Sequence, residues 1–139
     1  MSNIDFSRMV TADAKAANRQ AELRAAVTAE RDRRIHAGAV VSVTGYGDIP
    51  LQGRPADQIN LIALSDTARN LVATGVTSPV IPFRDATNAT HMLTPAQMVE
   101  LASKGKHTAS MLYAAAWALK DGGAIPEDYA DDAHWPAAS

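Results

Sequence analysis

The chain has 139 residues, an apolar fraction of 47% and a formal net charge of −2 at neutral pH. This length suits one domain with extensions, and the near-neutral charge argues against a nucleic-acid-binding protein, which relies on clustered lysine and arginine. Cysteine is absent, which excludes disulfides and thiolate metal sites, and no stretch approaches the roughly 18 apolar residues of a membrane-spanning helix. We therefore expect one globular domain that binds neither nucleic acid nor a membrane.

The first 37 residues are predicted to form an N-terminal arm and a long helix. The arm, residues 1–10, includes Phe6 and Met9 and is interpreted either as a docking segment or as a frayed terminus. Residues 11–37 lack glycine and proline, which favours a helix of roughly 40 Å at 1.5 Å per residue. Its large apolar residues are few: Leu23, Val27 and Ile35. Two alternatives follow, a solvated helix packed only through its C-terminal half, and a projecting stalk that self-associates or binds a partner.

The segment after this helix has the pattern of a β-hairpin. Gly38 is predicted to stop the helix, and residues 39–43 are rich in β-branched side chains. Residues 44–48 are predicted to form the turn and residues 49–53 the return strand. Pro50 cannot donate a hydrogen bond to a strand ladder, so it marks an edge position or a bulge. The two glycines of the turn lack the third glycine and the helix N-terminus of a phosphate-binding loop.

A second helix and a second hairpin follow. Pro55 suits the first helical turn and Gly75 the end of the helix. The broad apolar content between them predicts that this helix is the most deeply buried of the three. Residues 78–84 and 90–93 are then predicted to be the strands of a hairpin around a short loop, although Pro79 and Pro82 would confine the first strand to an edge or leave that segment irregular.

Both ends of the third helix carry recognisable signals. Thr94 and Gln97 form the Thr-x-x-Gln pattern of a capping box, with proline at the first helical position, and Gly122 is placed where the helix should end. Between these ends, apolar and small residues recur at spacings of three and four: Met98, Leu101, Gly105, Thr108, Leu112, Ala115 and Leu119. One side of the helix is therefore predicted to face a core.

The last 17 residues, 123–139, are acidic and contain proline, and they are predicted to form an extended tail. Tyr129 and Trp135 lie in this tail, and aromatic side chains dominate many protein interfaces. One interpretation is therefore a tail that anchors in a groove on a partner. The alternatives are a tail whose Trp135 folds back on the domain's own surface and a disordered tail.

The sequence offers no catalytic or metal-binding signature. Its four histidines lie far apart, without the His-x-x-x-His or Glu-x-x-His spacing of metal sites. Neither a Ser-His-Asp pattern nor a nucleophile elbow is present, and the acidic cluster of residues 127–132 lies in the tail rather than on a rigid element. We therefore predict a protein that is not an enzyme and that has no cofactor and no metal site.

Together these elements predict an α+β fold with the order helix, β-hairpin, helix, β-hairpin, helix. The long N-terminal helix is expected to project, and the acidic C-terminal tail is expected to be extended. The predicted organisation is an N-terminal arm and helix at residues 1–37, a compact α+β domain at residues 38–122 and a tail at residues 123–139.

This order of elements, together with several short strings, resembles a known family. The strings are Val-Ser-Val-Thr-Gly at residues 41–45, Ile-Pro-Leu at 49–51, residues 54–64, residues 80–84, and Met-Leu-Thr-Pro-Ala-Gln-Met at 92–98. The opening Ile-Asp-Phe-Ser-Arg-Met-Val-Thr-Ala at residues 4–12 is similar as well. The family is a phage-tail-associated domain of unknown function, found in small genes near the end of tail operons in phages and prophages. The resemblance covers residues 4–122.

The resemblance implies a non-enzymatic structural component of a bacteriophage tail, such as a fibre-associated or adaptor protein, made in the host cytoplasm and retained in the virion. Its partners would be other tail proteins, and a homo-oligomer is a further expectation. The residues expected to contact partners lie in the long helix and the two termini: Phe6, Met9, Leu23, Val27, Tyr129 and Trp135. Charged residues in place of Leu23 and Val27 should then prevent assembly and leave the domain folded.

Two other classes of function stay open at this stage. The first is a tail or tail-fibre assembly chaperone that is not retained in the virion. It would need the same helix surface but would remain a separable factor. The second is an enzyme or inhibitor that acts on host components, which would need a rigid pocket with convergent polar groups.

Overall fold

Three helices and two β-hairpins alternate along the chain in the predicted order, which confirms the α+β fold. The computed structural model describes residues 6–137, with side chains described from residue 11 onward. The helices are α1 (Phe6–Ala37), α2 (Pro55–Ala73) and α3 (Pro95–Asp121). The antiparallel hairpins are β1 (Ala39–Val43) with β2 (Gly47–Leu51), and β3 (Ile81–Arg84) with β4 (Thr90–Leu93).

Helix α3 lies at the centre of the fold because its buried side chains belong to two separate apolar clusters. The first cluster joins the N-terminal half of α3 to α2 and both hairpins: Val41, Val43, Ile49, Leu51, Leu61, Ala68, Ile81, Phe83, Leu93, Met98, Leu101 and Ala102. The second joins its C-terminal half to α1 and the tail: Leu23, Val27, Ile35, Leu112, Ala116, Ile125 and Trp135. Each half of the helix therefore has its own partner surface.

The predicted capping box at the start of α3 is confirmed. The Thr94 hydroxyl oxygen accepts a hydrogen bond from the Gln97 backbone N–H at 3.1 Å, and the Gln97 side-chain oxygen accepts one from the Thr94 N–H at 3.0 Å. At the other end Gly122 caps the helix with an ordinary φ of −83°, while Gly123 has a φ of +100°. The left-handed residue is therefore one position later than the sequence suggested.

The first hairpin is confirmed, but its turn is shorter than predicted. Gly47 already pairs with Val43, so the loop contains only residues 44–46 and β2 starts two residues early. Gly45, at a φ of +72°, supplies the left-handed conformation that a three-residue hairpin loop needs. Pro50 lies in a two-stranded sheet, in which both strands are edges, as its missing N–H requires.

Helix α1 starts at Phe6, five residues before the predicted start, and its 32 residues span about 48 Å. Residues 11–19 are all exposed, whereas Leu23, Val27 and Ile35 are buried in the second cluster. The described part of the helix thus matches the alternative in which only its C-terminal half packs on the domain.

Helix α2 is not the most deeply buried helix, so that prediction is wrong. Its buried residues are Leu61, Ser65 and Ala68, whereas α3 buries six residues. The apolar residues of α2 are spread around the helix, and the core covers only one side of it. Ile59 and Ile62 consequently point away from the core.

The C-terminal tail folds back on the domain, so the interpretation of Trp135 as an anchor for another protein is corrected. Ile125 and Trp135 are buried in the second cluster, and a short 3₁₀ helix, Asp132–His134, precedes the tryptophan. The Trp135 indole N–H donates a hydrogen bond to the Tyr129 carbonyl at 2.7 Å. The Arg34 guanidinium lies 5.1 Å from the centre of the indole ring, close enough for a cation–π contact.

Candidate interaction surface

One side of α2 carries large apolar side chains that the core leaves uncovered. Ile59 is 68% exposed and Ile62 is 58% exposed. Asp66 and Arg69 are also exposed, and positions 59, 62, 66 and 69 are three or four residues apart, so these side chains form one stripe along the helix. Such a stripe of apolar and charged side chains is typical of a helix face that contacts another protein.

The neighbouring side of α3 continues this surface with exposed Lys106 and Trp117 and with half-buried Val99 and Tyr113. Val99, Lys106, Tyr113 and Trp117 are spaced by seven, seven and four residues, which places them along one side of the helix. Trp117 is 56% exposed, and its ring centre lies 6.0 Å from that of Tyr113. We call the following residues the α2–α3 surface: Ile59, Ile62, Asp66, Arg69, Val72, Val99, Lys106, Tyr113 and Trp117.

A first hollow of about 270 Å³ lies between the N-terminal half of α2 and the C-terminal half of α3. Ile62, Lys106 and Tyr113 are among its lining residues, so it belongs to the α2–α3 surface. Its other apolar walls are Ile35, Leu51, Leu61 and Leu112. Gly105 of α3 lines the hollow, and a Cβ atom there would lie 2.9 Å from a Leu51 methyl group, so the Leu51 side chain would have to shift. It is large enough to receive an apolar side chain from another molecule.

A second hollow of about 250 Å³ lies at the other end of the same pair of helices. Arg69 and Val72 of α2 line one wall, and Ala96 and Val99 of α3 line the other. Apart from the Arg69 side chain, this lining is apolar. The two hollows place apolar concavities at both ends of the α2–α3 surface.

The charged residues of this surface have no ionic partners within the described part of the chain. Asp66, Arg69 and Lys106 make no salt bridge to any residue from 11 to 137. Elsewhere the chain uses its charges internally, as where the Glu30 carboxylate binds Arg33 and Arg34. The Arg33 hydrogen bond is the main reason that the pKa of Glu30 lies below its usual value. The α2–α3 surface thus carries one exposed carboxylate, Asp66, and two exposed cationic side chains, Arg69 and Lys106, without an ionic partner among the described residues.

Four of the six residues predicted to contact partners come together, but inside the protein itself. Leu23, Val27 and Trp135 are buried in the second cluster, and Tyr129 packs against it with partial exposure. The expectation that Leu23 and Val27 face another protein is therefore corrected, because their side chains are covered by α3 and the tail. Phe6 and Met9 lie in the first turns of α1, and their side chains are outside the described residues.

A polar network that the sequence analysis missed joins the two hairpins. The Tyr46 hydroxyl lies 2.6 Å from His91 Nδ1, and His91 Nε2 lies 2.7 Å from an Asp85 carboxylate oxygen. The other Asp85 oxygen accepts hydrogen bonds from Thr87 and from the Ala89 N–H. The His91 hydrogen bond, followed by those from Thr87, holds the pKa of Asp85 well below its usual value. Because an ionised carboxylate only accepts, His91 donates from Nε2, and in the neutral form of the imidazole Nδ1 accepts a hydrogen bond from the Tyr46 hydroxyl.

The order carboxylate, imidazole, hydroxyl resembles the relay of hydrolases, but its surroundings favour a structural link. The hollow beside Asp85 holds only about 30 Å³, and neither Tyr46 nor His91 lines it. The loop of the second hairpin is further tied to the first, since the Ala86 N–H donates to the Pro50 carbonyl at 2.9 Å. The signal for this network was absent from the sequence because Tyr46 and His91 are 45 residues apart.

The Asp85 network should make the free energy of unfolding depend on pH. Because the pKa of Asp85 is lower in the folded protein than in the unfolded chain, its contribution is complete above the unfolded value of about 4 and declines as pH falls below it. The Asp85→Asn variant should therefore be clearly less stable than the parent at pH 7, and the gap should narrow towards pH 3. Urea unfolding at several pH values would measure this gap. The Asp48→Asn variant, which changes an exposed carboxylate of β2, is the control, and a gap independent of pH would contradict the assignment.

Within residues 6–137, no group of three or more His, Cys, Asp or Glu side chains is arranged to hold a metal ion. Over the same part of the chain, none of the helices combines the length and the apolar character needed to cross a membrane. The α2–α3 surface, with its exposed apolar side chains and two hollows, is the candidate site.

A family model covers most of the chain and all of the elements that form this surface. The model described as Domain of unknown function (DUF4376) matches residues 18–134, which include α2, both hairpins, α3 and most of the tail. No curated protein and no solved structure matches the chain. Because the match spans well over half of the sequence, the chain belongs to the family described as Domain of unknown function (DUF4376).

Proposed function

We propose that this protein is a non-enzymatic structural component of a bacteriophage tail, a fibre-associated or adaptor protein, and that it acts by contacting other tail proteins. The tail context comes from the resemblance of the strings at residues 41–51 and 92–98, and of the opening residues, to phage-tail-associated proteins. The α2–α3 surface is the observation that carries the binding role. It combines two exposed isoleucines, an exposed tryptophan and two apolar hollows.

The contact region proposed here differs from the one expected from sequence. Leu23, Val27 and Trp135 serve the protein's own core, so the α2–α3 surface replaces them as the contact region. Trp117 is its best candidate for a hot spot, because tryptophan is enriched among residues that dominate binding energy. Its Tyr113 neighbour is held in place by the Arg31 guanidinium, which lies 4.4 Å from the centre of the tyrosine ring. Tyr113 lines the first hollow and Trp117 lies beside it, an arrangement that suits the recognition of an apolar side chain.

Mass spectrometry of purified particles would test the proposal. In particles of the phage or induced prophage that encodes this chain, its peptides should occur at a ratio comparable with those of other tail proteins. Absence from particles, combined with abundant protein in the lysate, would overturn the structural role and favour the assembly chaperone. Absence from particles and from every complex with tail proteins in the lysate would overturn both roles.

The contact region can be tested in the same particles with two matched variants of α3. Trp117→Glu should reduce incorporation at least about tenfold, because it puts a charge where an apolar side chain is proposed to bind. Met111→Glu is the control, since Met111 is 45% exposed on the same helix but lies outside the α2–α3 surface. Equal incorporation of the two variants would exclude Trp117 from the contact.

A further inference from the structure

We propose that the part of the α2–α3 surface from Ile62 to Val72, together with the second hollow, binds a second copy of this chain, through antiparallel pairing of two α2 helices about a two-fold axis. The inference rests on the proposed function, which assigns this surface to protein contacts, and it names one partner. Its basis is the distribution of charge and shape along one helix face.

The charges on α2 are arranged so that two copies complement each other. Asp66 and Arg69 are exposed and make no salt bridge with any described residue. The same spacing elsewhere in the chain does form a pair, since Arg54 and Asp57 approach to 2.8 Å. In an antiparallel pair of α2 helices, Asp66 of one copy lies opposite Arg69 of the other, and the two-fold axis repeats this contact. Two reciprocal ion pairs would therefore fix the register of the helices.

The same register matches an apolar side chain to an apolar hollow. Pairing positions 66 and 69 of the two copies places Ile62 of one copy opposite Ala73 of the other, beside its Val72. This is the edge of the second hollow, whose remaining walls are Ala96 and Val99. Ile62 is 58% exposed in one chain, so an apolar side chain and an apolar hollow are both available in each copy. The two-fold axis generates a second, identical contact between Ile62 and the hollow of the other copy.

Self-complementarity is the reason to choose a second copy over an unrelated protein. A two-fold interface between identical chains uses the same patch on both chains. The patch must therefore carry both signs of charge, and it must carry both the protruding apolar side chain and the hollow that receives it. The segment of α2 from Ile62 to Val72 and its hollow with α3 carry all four features within about three helical turns. A different protein would have to carry a separate complementary group for each of these features.

The experiment is light scattering coupled to size-exclusion chromatography of the purified full chain and of charge-reversed variants. The parent chain should show twice the mass of one chain. D66R places arginine opposite Arg69, and R69D places aspartate opposite Asp66, so each should raise the dimer dissociation constant at least about 100-fold. An equal mixture of D66R and R69D should dimerise again, because the two arginines of one variant then face the two aspartates of the other.

Controls separate loss of binding from loss of folding. Circular dichroism should give the same helical signal for each variant as for the parent chain. The variant D13R changes the charge by the same amount on the exposed part of α1 and should leave the dimer intact. Any of three results would overturn the proposal. The parent chain could be monomeric at concentrations up to about 100 μM, D66R could leave the dimer dissociation constant unchanged, or the mixture of the two variants could stay monomeric.

These outcomes do not depend on the proposed tail role, because only the purified chain is used. If the chain dimerises as described but is absent from particles and from complexes with tail proteins, the tail role fails and the dimer stands. If the chain is incorporated into particles but is monomeric in solution with indifferent variants, the dimer fails and the tail role stands.

Discussion

Replacing Leu23 with alanine should lower the free energy of unfolding by about 2–5 kcal/mol, the usual range for removing a fully buried leucine side chain. Leu23 is only 1% exposed and packs in the second cluster with Leu112 and Ala116 of α3. In the part of α1 whose side chains are described, residues 11–37, few large apolar side chains are buried against the domain: Leu23, Val27 and Ile35. Each therefore carries a large share of the packing that fixes this helix.

Urea unfolding followed by circular dichroism would measure the change, and hydrogen exchange would show whether α1 opens before the rest of the domain. The matched control is Ala25→Ser, an exposed position one half-turn away, which should change the free energy by no more than about 0.5 kcal/mol. A Leu23→Ala variant as stable as this control would show that the second cluster does not hold α1.

This result would reverse what the sequence alone suggested for the same residues. A thin apolar stripe on a long charged helix is compatible with a stalk that binds another protein, and charged substitutions at Leu23 and Val27 were then expected to leave the domain folded. With both residues buried, the same substitutions would put charges into the core and should unfold the C-terminal half of α1.

The order of elements was predictable because its signals are local. The capping box at Thr94 involves residues three apart, and the first hairpin follows from β-branched residues flanking glycines. The exact turn was less predictable, since Gly45 and Gly47 both favour a turn and only strand pairing decides which of them belongs to it.

The burial of each helix was not predictable to the same degree, because it depends on which other elements cover it. Periodicity identified the buried side of α3, but α2 carries apolar residues on several sides, and its sequence does not say which side meets the core. The network of Tyr46, Asp85 and His91 and the packing of Trp135 against Arg34 join residues far apart in sequence. The candidate surface also depends on packing between elements that are far apart in sequence. Ile59 and Ile62 are exposed because the hairpins and α3 cover the opposite side of α2.

The Trp135→Ala variant should lower the free energy of unfolding by about 3–5 kcal/mol, because it removes the largest side chain of the second cluster. The indole is only 6% exposed, and its N–H is used by the Tyr129 carbonyl. The loss should extend to neighbouring contacts of the tail. Arg34 donates to the Ala130 carbonyl at 2.9 Å and to the Asp132 carboxylate at 2.8 Å, and both acceptors are positioned by the folded tail.

Trp117→Ala is a matched control, since it removes the same type of side chain from an exposed position. In a dilute, monomeric sample it should lower the free energy of unfolding much less than Trp135→Ala does. Urea unfolding gives the two free energies, and hydrogen exchange of residues 124–137 reports whether the tail is released. A tail free to anchor on another protein would make the two variants equally stable and would leave its amides unprotected in the parent chain. The expected result is different: only Trp135→Ala should lower the free energy of unfolding strongly, and it should remove the protection of the tail amides from hydrogen exchange. That result would require that the tail is part of the core that holds α1 against α3.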